Sequence, residues 1–537
     1  MWGILISEAA ALMGPFDFYG ISCYFWPVTL QKLFYRAKDM VRSPSGTLPQ
    51  VGALPLVGGS SPVRGYLYIS IPIMAVEWIL FKMYYPYADF FNDSYSYIET
   101  AAHGDAVGYR PLGYSLFLRL VHVVSTSDTV VVTLQYALVQ GACLGLLVTL
   151  VKRYMIPPVA TRVLLAGLML NPAVPYLCNY VSSDALFLGL SLIWLTVLMG
   201  LLREPTWWRL WLQLVLLFVI FNLRFVALFY PAVAALCFLL LRRKGSVAYK
   251  LTGILCSIGV VLACSSWIKR VTYRETGAAT FSAFSGWQIA NNVLNMYPFI
   301  SADTIDLPTP ECRELAGDIG AYFAKTGPAL RAKGASSTTE YMWSHSSPLH
   351  QFMDSLRRRQ KTDYFRAWHR VAPIFSEYSY YLIRKHPMDY MRYYGWPSAE
   401  SFFWAPLDVF AVYNEGKPTI DPVACSWFEY AHNRPRVWSA TAQARLLAPL
   451  PRIALFLYVL FPGVALMFLW SGPDRKRYPL FTGALELVAA YLLANTIFSI
   501  FASPSVFRYQ VLPMILLFIF SVCCLGILLD RRKPGIA

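Results

Sequence analysis

The sequence predicts an all-α polytopic membrane protein with about ten transmembrane helices. Of its 537 residues, 57% are apolar and only 14% are charged, whereas soluble globular proteins carry about 25% charged residues. Many apolar residues form runs of about 20, the length that an α-helix needs to cross the hydrocarbon core of a bilayer. Composition and run length therefore agree on the fold class.

Ten apolar segments approach this length, and each is expected to form one transmembrane helix. The segments are residues 66–83, 129–151, 160–177, 184–202, 208–223, 225–241, 249–268, 452–470, 479–501 and 509–529. Basic runs follow the sixth, eighth and tenth segments, at 242–244, 475–477 and 531–533. Because cytoplasmic loops carry an excess of Lys and Arg, both termini are expected in the cytoplasm, with residues 84–128 and 269–451 outside.

This topology divides the chain into four parts. Residues 1–64 are expected to form a cytoplasmic or interfacial extension, and residues 65–268 a seven-span module with its first outer loop at 84–128. Residues 269–451 are expected to form a large outer loop domain, and residues 452–537 three further spans and a short cytoplasmic tail. Tryptophans of the outer loop domain are expected in its core. They include Trp287, Trp396, Trp404 and Trp427.

The net charge of +16 could indicate a nucleic-acid partner. The basic residues lie in short runs between apolar segments, however, and membrane orientation explains that pattern, so no nucleic acid is expected. The cysteines form no CxxC pair and no His-rich metal spacing occurs. Cys312 and Cys425 lie in the outer loop domain and could form a disulfide in an oxidising compartment.

Ionisable residues occur at five places beside the apolar segments, where charge is costly and usually faces a site. The five stretches are NDSYSYI at 92–98, GYRPLG at 108–113, SSDALF at 182–187, FNLRF at 221–225 and FRYQVLP at 507–513. In the ten-span topology all five lie on the outer side at similar depth. They supply two acids and three arginines, which we expect to converge on one site.

Each candidate also has a purely structural interpretation. Asp93 could cap the N-terminus of a helix that starts at Ser94, and Asp184 could cap the fourth span. Arg224 and Arg508 could be arginines that reach from a span to the membrane interface. The convergence of the five places favours a site instead. Arginines bind phosphate bidentately, and a carboxylate can take a proton from a hydroxyl, so the set predicts a lipid-phosphate-dependent transferase.

Short motifs at these places resemble the GT-C superfamily of membrane glycosyltransferases, which includes the protein O-mannosyltransferases and the bacterial lipid A aminoarabinose transferases. Asp93 in NDSYSYI matches the acidic residue of that family's first outer loop. RPLGYSLFL, which begins with Arg110, is similar to the family's continuation. SDALF, NLRF and RYQVLP resemble its elements at Asp184, Arg224 and Arg508.

The resemblance covers residues 66–529 and implies juxtamembrane helices in the first outer loop and a large, mainly helical loop after the seventh span. It also implies inverting transfer of a sugar from a polyprenyl-phosphate donor to a glycan, lipid or protein acceptor, with Asp93 as general base. The residues expected to bind the donor phosphate are Arg508, Tyr509, Arg224 and Arg110. Those expected to position substrates are Asp184, Asn92, Tyr95 and Tyr114.

One departure from the family concerns metal binding. Many members carry paired acids in the first loop, whereas Asn92 precedes Asp93 here. Because a lone carboxylate is a poor site for a divalent cation, the sequence supports no metal and no other cofactor. The sequon at 92–94 would be glycosylated beside the expected base in an endoplasmic reticulum. That favours a bacterial inner membrane with the site facing the periplasm.

Two alternatives remain open. A secondary transporter would show inverted repeats and acidic residues near the middle of its spans. Such acids are scarce here, and Glu77 and Glu486 are the exceptions. An O-antigen ligase or polymerase would rely on Arg and His residues of the large outer loop. The histidines that keep this alternative open are His345, His350, His369 and His386.

Overall fold

The computed structural model describes residues 62–241, 245–301, 306–439, 441–502 and 504–530. Every regular element of these residues is helical, and their one β-type contact is an isolated bridge between Asp89 and Tyr180. The predicted all-α fold class is therefore confirmed. Residues 1–61 of the extension predicted at 1–64 lie outside the described residues. Its last three residues, 62–64, begin the first helix.

The helices on the N-terminal side of the large outer loop are labelled in chain order. They are α1 (Pro62–Tyr84), α2 (Asn92–His103), α3 (Gly113–His122), α4 (Asp128–Tyr154), α5 (Pro158–Met169), α6 (Ala173–Asn179), α7 (Ser183–Arg203), α8 (Trp207–Leu223), α9 (Tyr230–Leu240) and α10 (Val247–Thr276). A short 3₁₀ helix, Phe225–Phe229, leads into α9.

The outer loop and the C-terminal part contain the remaining helices. They are α11 (Ala283–Met296), α12 (Pro310–Lys333), α13 (Glu340–Trp343), α14 (Pro348–Gln360), α15 (Tyr364–Lys385), α16 (Pro387–Tyr390), α17 (Trp396–Phe403), α18 (Pro422–Trp427), α19 (Ala442–Leu447), α20 (Leu450–Trp470), α21 (Gly472–Arg477), α22 (Pro479–Ala502) and α23 (Val511–Leu529). Shorter turns are Tyr297–Phe299, Met391–Gly395, Asp408–Ala411, Tyr413–Gly416 and Phe507–Gln510.

All ten predicted membrane segments fall on helices. Among the described residues, eight helical stretches are long and apolar enough to cross a membrane. The other two predicted segments correspond to α8 and to the 3₁₀ helix with α9, which are apolar but shorter. The chain is thus an integral membrane protein by the length and composition of its helices, and about ten spans is an approximate count.

Local sequence explains where several helices begin and end. Ser246 and Thr309 cap α10 and α12, because their hydroxyls accept the N–H groups of Tyr249 and Cys312. Helix α2 ends at Gly104, whose φ of +73° lies in the left-handed region that glycine adopts without strain. That ending allows the chain to turn sharply toward Arg110.

The buried apolar residues form two clusters. The larger joins the membrane helices and also receives residues of the outer loop after Trp404, such as Phe410 and Leu447. The smaller lies within the outer loop, where Trp287 stacks on Trp368 with ring centroids 3.9 Å apart. Trp287 is a core residue as expected. The same expectation is wrong for Trp396 and Trp404, which are exposed.

Cys312 and Cys425 are both free cysteines, so the disulfide considered between them is not formed. Cys312 is buried in the smaller apolar cluster, where α12 packs inside the outer loop. Cys425 packs against the larger cluster of the membrane helices. The two thiols therefore belong to different cores, which the positions of cysteines in a sequence do not reveal.

Candidate active site

Asp93 reaches the site from the first turn of α2. The chain between α1 and α2 is fixed at Asp89, whose N–H donates to the carbonyl of Asn179 at 2.8 Å. Helix α2 starts at Asn92, after Phe91 in an extended conformation. Asp93 is therefore inside the first turn, and the interpretation of it as the cap of a helix starting at Ser94 is wrong.

The Asp93 carboxylate is held between two arginines. One oxygen accepts from Arg110 Nη2 at 2.5 Å, and the other accepts from Arg508 Nη2 at 3.3 Å. Burial by itself would raise the pKa of the Asp93 carboxyl, but the charges of Arg110, Arg508 and Arg224 outweigh it and hold the pKa below its usual value. Asp93 is consequently ionised at neutral pH.

Asp184 occupies a similar position on the other side of Arg508. Ser182 caps α7 by accepting the N–H of Asp184, so the interpretation of Asp184 as the cap of this span is wrong. The Asp184 carboxylate is instead ion-paired with Arg224, and it also contacts Arg508 Nη1 at 3.5 Å. Its side chain is only 5% exposed. A buried carboxylate of this kind needs such partners to remain charged.

Arg508 lies between the two aspartates on the 3₁₀ turn that precedes α23. Its Nη2 also donates to the Tyr509 hydroxyl at 3.2 Å, and its guanidinium lies 4.3 Å from the centre of the Phe91 ring. Within the described part of the chain, its buried Nε–H has no hydrogen-bond partner. One donor of the guanidinium therefore remains available to a ligand.

Aromatic rings support the other two arginines. Arg224 lies over the Tyr509 ring, 4.3 Å from its centre. Arg110 lies over Phe284 at 5.1 Å and near Trp343 at 6.0 Å, so residues of the outer loop domain border the site. Contacts of this kind stabilise a cation without neutralising its charge. Three arginines and two aspartates leave the cluster with one net positive charge.

A cavity of about 30 Å³ opens beside this cluster. Its polar lining consists of Asp184, Arg224, Asn495, Ser499, Arg508 and Tyr509. A volume of this size admits water but no sugar phosphate. The ion pairs and the helices that carry them therefore leave no space for a larger molecule at this point.

Three other predicted residues do not join the arginine cluster. Asn92 bonds with the outer loop instead, since its N–H donates to Glu415 at 3.1 Å and its Oδ1 accepts from Lys417 at 3.2 Å. Tyr95 stacks on Phe90. Tyr114 is fully buried, and its hydroxyl donates to Gln135 at 2.8 Å. Tyr114 thus joins α3 to α4 behind the site and has a structural role.

Two functional-site neighbours escaped the sequence analysis. Asp89 is fully buried, and it accepts from the N–H of Asn414 at 2.8 Å. Glu415 contacts α2, as described above, from a turn in which Asn414, Glu415 and Gly416 all have positive φ. An acid within the apolar run YADFF and the turn sequence YNEGK were the available signals. Neither signal shows that the two stretches meet.

Metal-binding side chains do not cluster in the described residues. No group of three or more His, Cys, Asp or Glu side chains there could hold a metal ion. The site thus offers two carboxylates beside three guanidinium groups.

Comparison with protein-family models and with curated protein sequences gives no match. Among solved structures, the chain is similar to arabinosyltransferase EmbB from Mycobacterium smegmatis, with 15% sequence identity and a TM-score of 0.27. The similarity covers 90% of this chain but 43% of that chain. A similarity of this size assigns no function.

Proposed function

We propose that the chain is a membrane glycosyltransferase that moves a sugar from a polyprenyl-phosphate-linked donor to an acceptor hydroxyl with inversion. The observation that carries this proposal is the convergence of three arginines on two aspartates beside membrane-crossing helices. The cluster consists of Asp93, Asp184, Arg110, Arg224 and Arg508. Guanidinium groups bind phosphate bidentately, and a phosphate bound at this depth would be attached to a lipid.

In the proposed reaction, the acceptor oxygen bonds to the anomeric carbon while the bond from that carbon to the donor phosphate oxygen breaks. The acceptor proton passes to the Asp93 carboxylate, and the electron pair leaves on polyprenyl phosphate. Arg508, with Arg110 and Arg224, would stabilise the charge that grows on the departing phosphate. Asp184 would orient two of these arginines and accept from a sugar hydroxyl.

The ion pairs of Asp93 suggest that the base acts only after the donor binds. In the free protein Arg110 and Arg508 hold the pKa of Asp93 low, and a carboxylate of low pKa is a weak base. A donor phosphate would compete for the same guanidinium groups and reduce their effect on Asp93. Burial would then raise the pKa of Asp93 toward the range that base catalysis needs.

The reaction would take place on the periplasmic side of a bacterial inner membrane, because the positive-inside rule predicts that the five motifs lie on the outer side. The acceptor would be a glycan, a lipid or a protein. An O-antigen ligase-like reaction has less support, since His350 and His369 bond to backbone carbonyls inside their own domain. A transporter also has less support, since Glu77 is engaged by the hydroxyl of Tyr136.

Substitution of Asp93 tests the proposal. Purified protein in lipid nanodiscs would be given polyprenyl-phosphate hexoses and pentoses together with cell-envelope glycan, and sugar transfer would be measured. Asn at position 93 keeps the size of Asp but cannot take a proton, so we expect Asp93→Asn to lower the rate about 10²-fold or more. The exposed acid of the same loop offers the matched control Asp105→Asn, which should retain the wild-type rate.

Two results would contradict different parts of the proposal. Near wild-type transfer by Asp93→Asn would remove Asp93 as the base. Absence of transfer by the wild-type protein from every polyprenyl-phosphate sugar, while the protein remains folded, would exclude this class of donor.

A further inference from the structure

The stretch from α16 to Trp404, the residue after α17, exposes large apolar side chains on the surface of the outer loop. Trp396 is 73% exposed and Trp404 is 52% exposed, and Phe403, Met388 and Met391 are exposed as well. Large exposed apolar patches mark sites of interaction with proteins or membranes. These five residues are referred to below as the aromatic rim.

Helix α17, which carries part of the aromatic rim, lies against two membrane-crossing helices. The Ser398 hydroxyl donates to the carbonyl of Ile500 in α22 at 2.8 Å. On the other side, the Phe403 ring lies 5.2 Å from the ring of Tyr458 in α20. These contacts place α17 beside the last turn of α22, which ends at Ala502, and beside the third turn of α20, which begins at Leu450.

The position of Tyr458 gives the depth of this contact. Arg452 lies near the start of α20, and the next charged residue, Asp474, comes after this helix has ended. The hydrocarbon-crossing part of α20 therefore begins after Arg452. Tyr458 follows six residues later, which corresponds to about 9 Å along a helix axis. Interfacial helices bury their apolar face by about 5–10 Å at the boundary of headgroups and acyl chains. The place at which Phe403 meets α20 falls in that range.

We propose that the aromatic rim is a membrane-binding surface, on which α17 lies in the outer leaflet of the lipid bilayer. Trp residues concentrate at this level of a bilayer, where the ring meets acyl chains and the indole N–H meets water. Within residues 388–404, which carry the aromatic rim, the charged residues are Asp389, Arg392 and Glu400, and Glu400 is exposed four positions after Trp396. A carboxylate there keeps the helix at the headgroup level and prevents deeper insertion.

The contact with lipid does not depend on the reaction proposed above, but it bears on the same site. The Phe507 N–H donates to the carbonyl of Pro406 at 2.9 Å, and Gln510 donates to the carbonyl of Phe402 at 3.4 Å. The turn that carries Arg508 is therefore tied to the aromatic rim. Lipid contact at α17 would fix the depth at which Arg508 meets a membrane-borne phosphate.

Photo-crosslinking to lipid tests the proposal. The photoreactive amino acid p-benzoylphenylalanine would replace Trp396 or Phe403 in the full chain, which would be reconstituted in nanodiscs of palmitoyl-oleoyl phosphatidylcholine. After irradiation, mass spectrometry would measure the fraction of protein that carries one added lipid. Position 466 provides the positive reference, because Leu466 is exposed on α20, and position 325 provides the reference in water, because Lys325 is exposed on α12.

We expect the lipid adduct at positions 396 and 403 to approach the yield at 466 and to exceed the yield at 325 at least fivefold. A yield at 396 and 403 that does not exceed that at 325 would overturn the proposal. The readout needs no sugar donor, so it is independent of whether the chain is a transferase.

Discussion

Arg508 contacts both candidate aspartates, which makes it the central arginine of the proposed phosphate site. Its guanidinium shares two nitrogens between Asp93 and Asp184, donates to the Tyr509 hydroxyl and retains one buried donor. A side chain with a single ammonium could not reach these partners in the same geometry. The planar shape of the guanidinium therefore matters as much as its charge.

Replacement of Arg508 by Lys separates shape from charge. We expect Arg508→Lys to remain folded, but to lose at least tenfold in the apparent affinity for a polyprenyl-phosphate donor and in the rate of transfer. The same conservative change at an exposed position of α12, Arg313→Lys, is the control and should alter neither quantity. Wild-type kinetics with donor and acceptor in the Arg508→Lys protein would show that Arg508 does not bind the phosphate.

At the scale of single elements, the glycine of the RPLG motif brings α3 against the end of α8. A methyl group built at Gly113 would lie 2.6 Å from the carbonyl oxygen of Asn222, and backbone atoms offer no easy movement. Asn222 stands two residues before Arg224, so the close approach of the two elements also determines where that arginine enters the site. The φ angle of Gly113 is not positive, which makes contact, not backbone strain, the reason for glycine.

Gly113→Ala should therefore act on stability and on the site together. We expect a loss of about 1–3 kcal/mol in unfolding free energy, the usual cost of overpacking, and a weaker ion pair between Arg224 and Asp184. Gly141→Ala in α4 is the matched control, because nothing lies within 4 Å of the added methyl group. Thermal unfolding in detergent would measure the stability of both variants. An equal melting temperature for the two variants would contradict the predicted clash.

The elements also show which parts of the site a sequence can predict. The length of the apolar runs predicts the ten helices. Because charged side chains beside a membrane span are energetically costly, the sequence also predicts that Asp93, Asp184 and the arginines lie together at one site. Capping predictions failed for both aspartates, because each helix begins before them and a neighbouring residue takes the cap position. Contacts such as Glu415 with Asn92 join residues 323 positions apart. No local pattern encodes such a pairing.

At the scale of the whole molecule, the topology predicted from Lys and Arg residues can be measured directly. Single cysteines introduced at Trp343 and at Arg475, in a background without accessible thiols, would be exposed to a membrane-impermeant maleimide from the outer side. We expect position 343 to react and position 475 to react only after the membrane is opened. Labelling of position 475 in intact cells would contradict the orientation and the periplasmic site. Arg243, which belongs to the same predicted cytoplasmic side, lies outside the described residues.

A buried acid joins the first outer loop to the large outer loop. Asp89 accepts from the N–H of Asn414 at 2.8 Å and from Gln443 at 3.4 Å, and thereby joins the first outer loop to two distant parts of the large one. Burial raises the pKa of Asp89 to about 7, and the hydrogen bonds from Asn414 and Gln443 only partly oppose this effect. The carboxyl of an unfolded chain has a pKa near 3.8.

This difference in pKa gives the stability of the whole molecule a defined dependence on pH. Between about pH 4 and pH 7 the folded protein holds a proton at Asp89 that the unfolded chain has released, so this contribution to stability falls as pH rises. The slope is at most about 1.4 kcal/mol per pH unit. The buried His350 and His369 act in the opposite direction, because burial lowers their pKa values and their contribution falls as pH decreases.

The contribution of Asp89 is therefore isolated by comparing variants rather than by one pH profile. Asp89→Asn keeps an acceptor for the N–H of Asn414 but cannot ionise, so the difference in unfolding free energy between variant and wild type should shift in favour of the variant from pH 5 to pH 7.5. Asp105→Asn removes an exposed acid of the same loop and should follow the wild type across this range. Melting temperatures in detergent at closely spaced pH values supply the measurement. Parallel profiles for Asp89→Asn and wild type would mean that Asp89 is already ionised in the folded protein, and that the outer loop is held by a charged carboxylate.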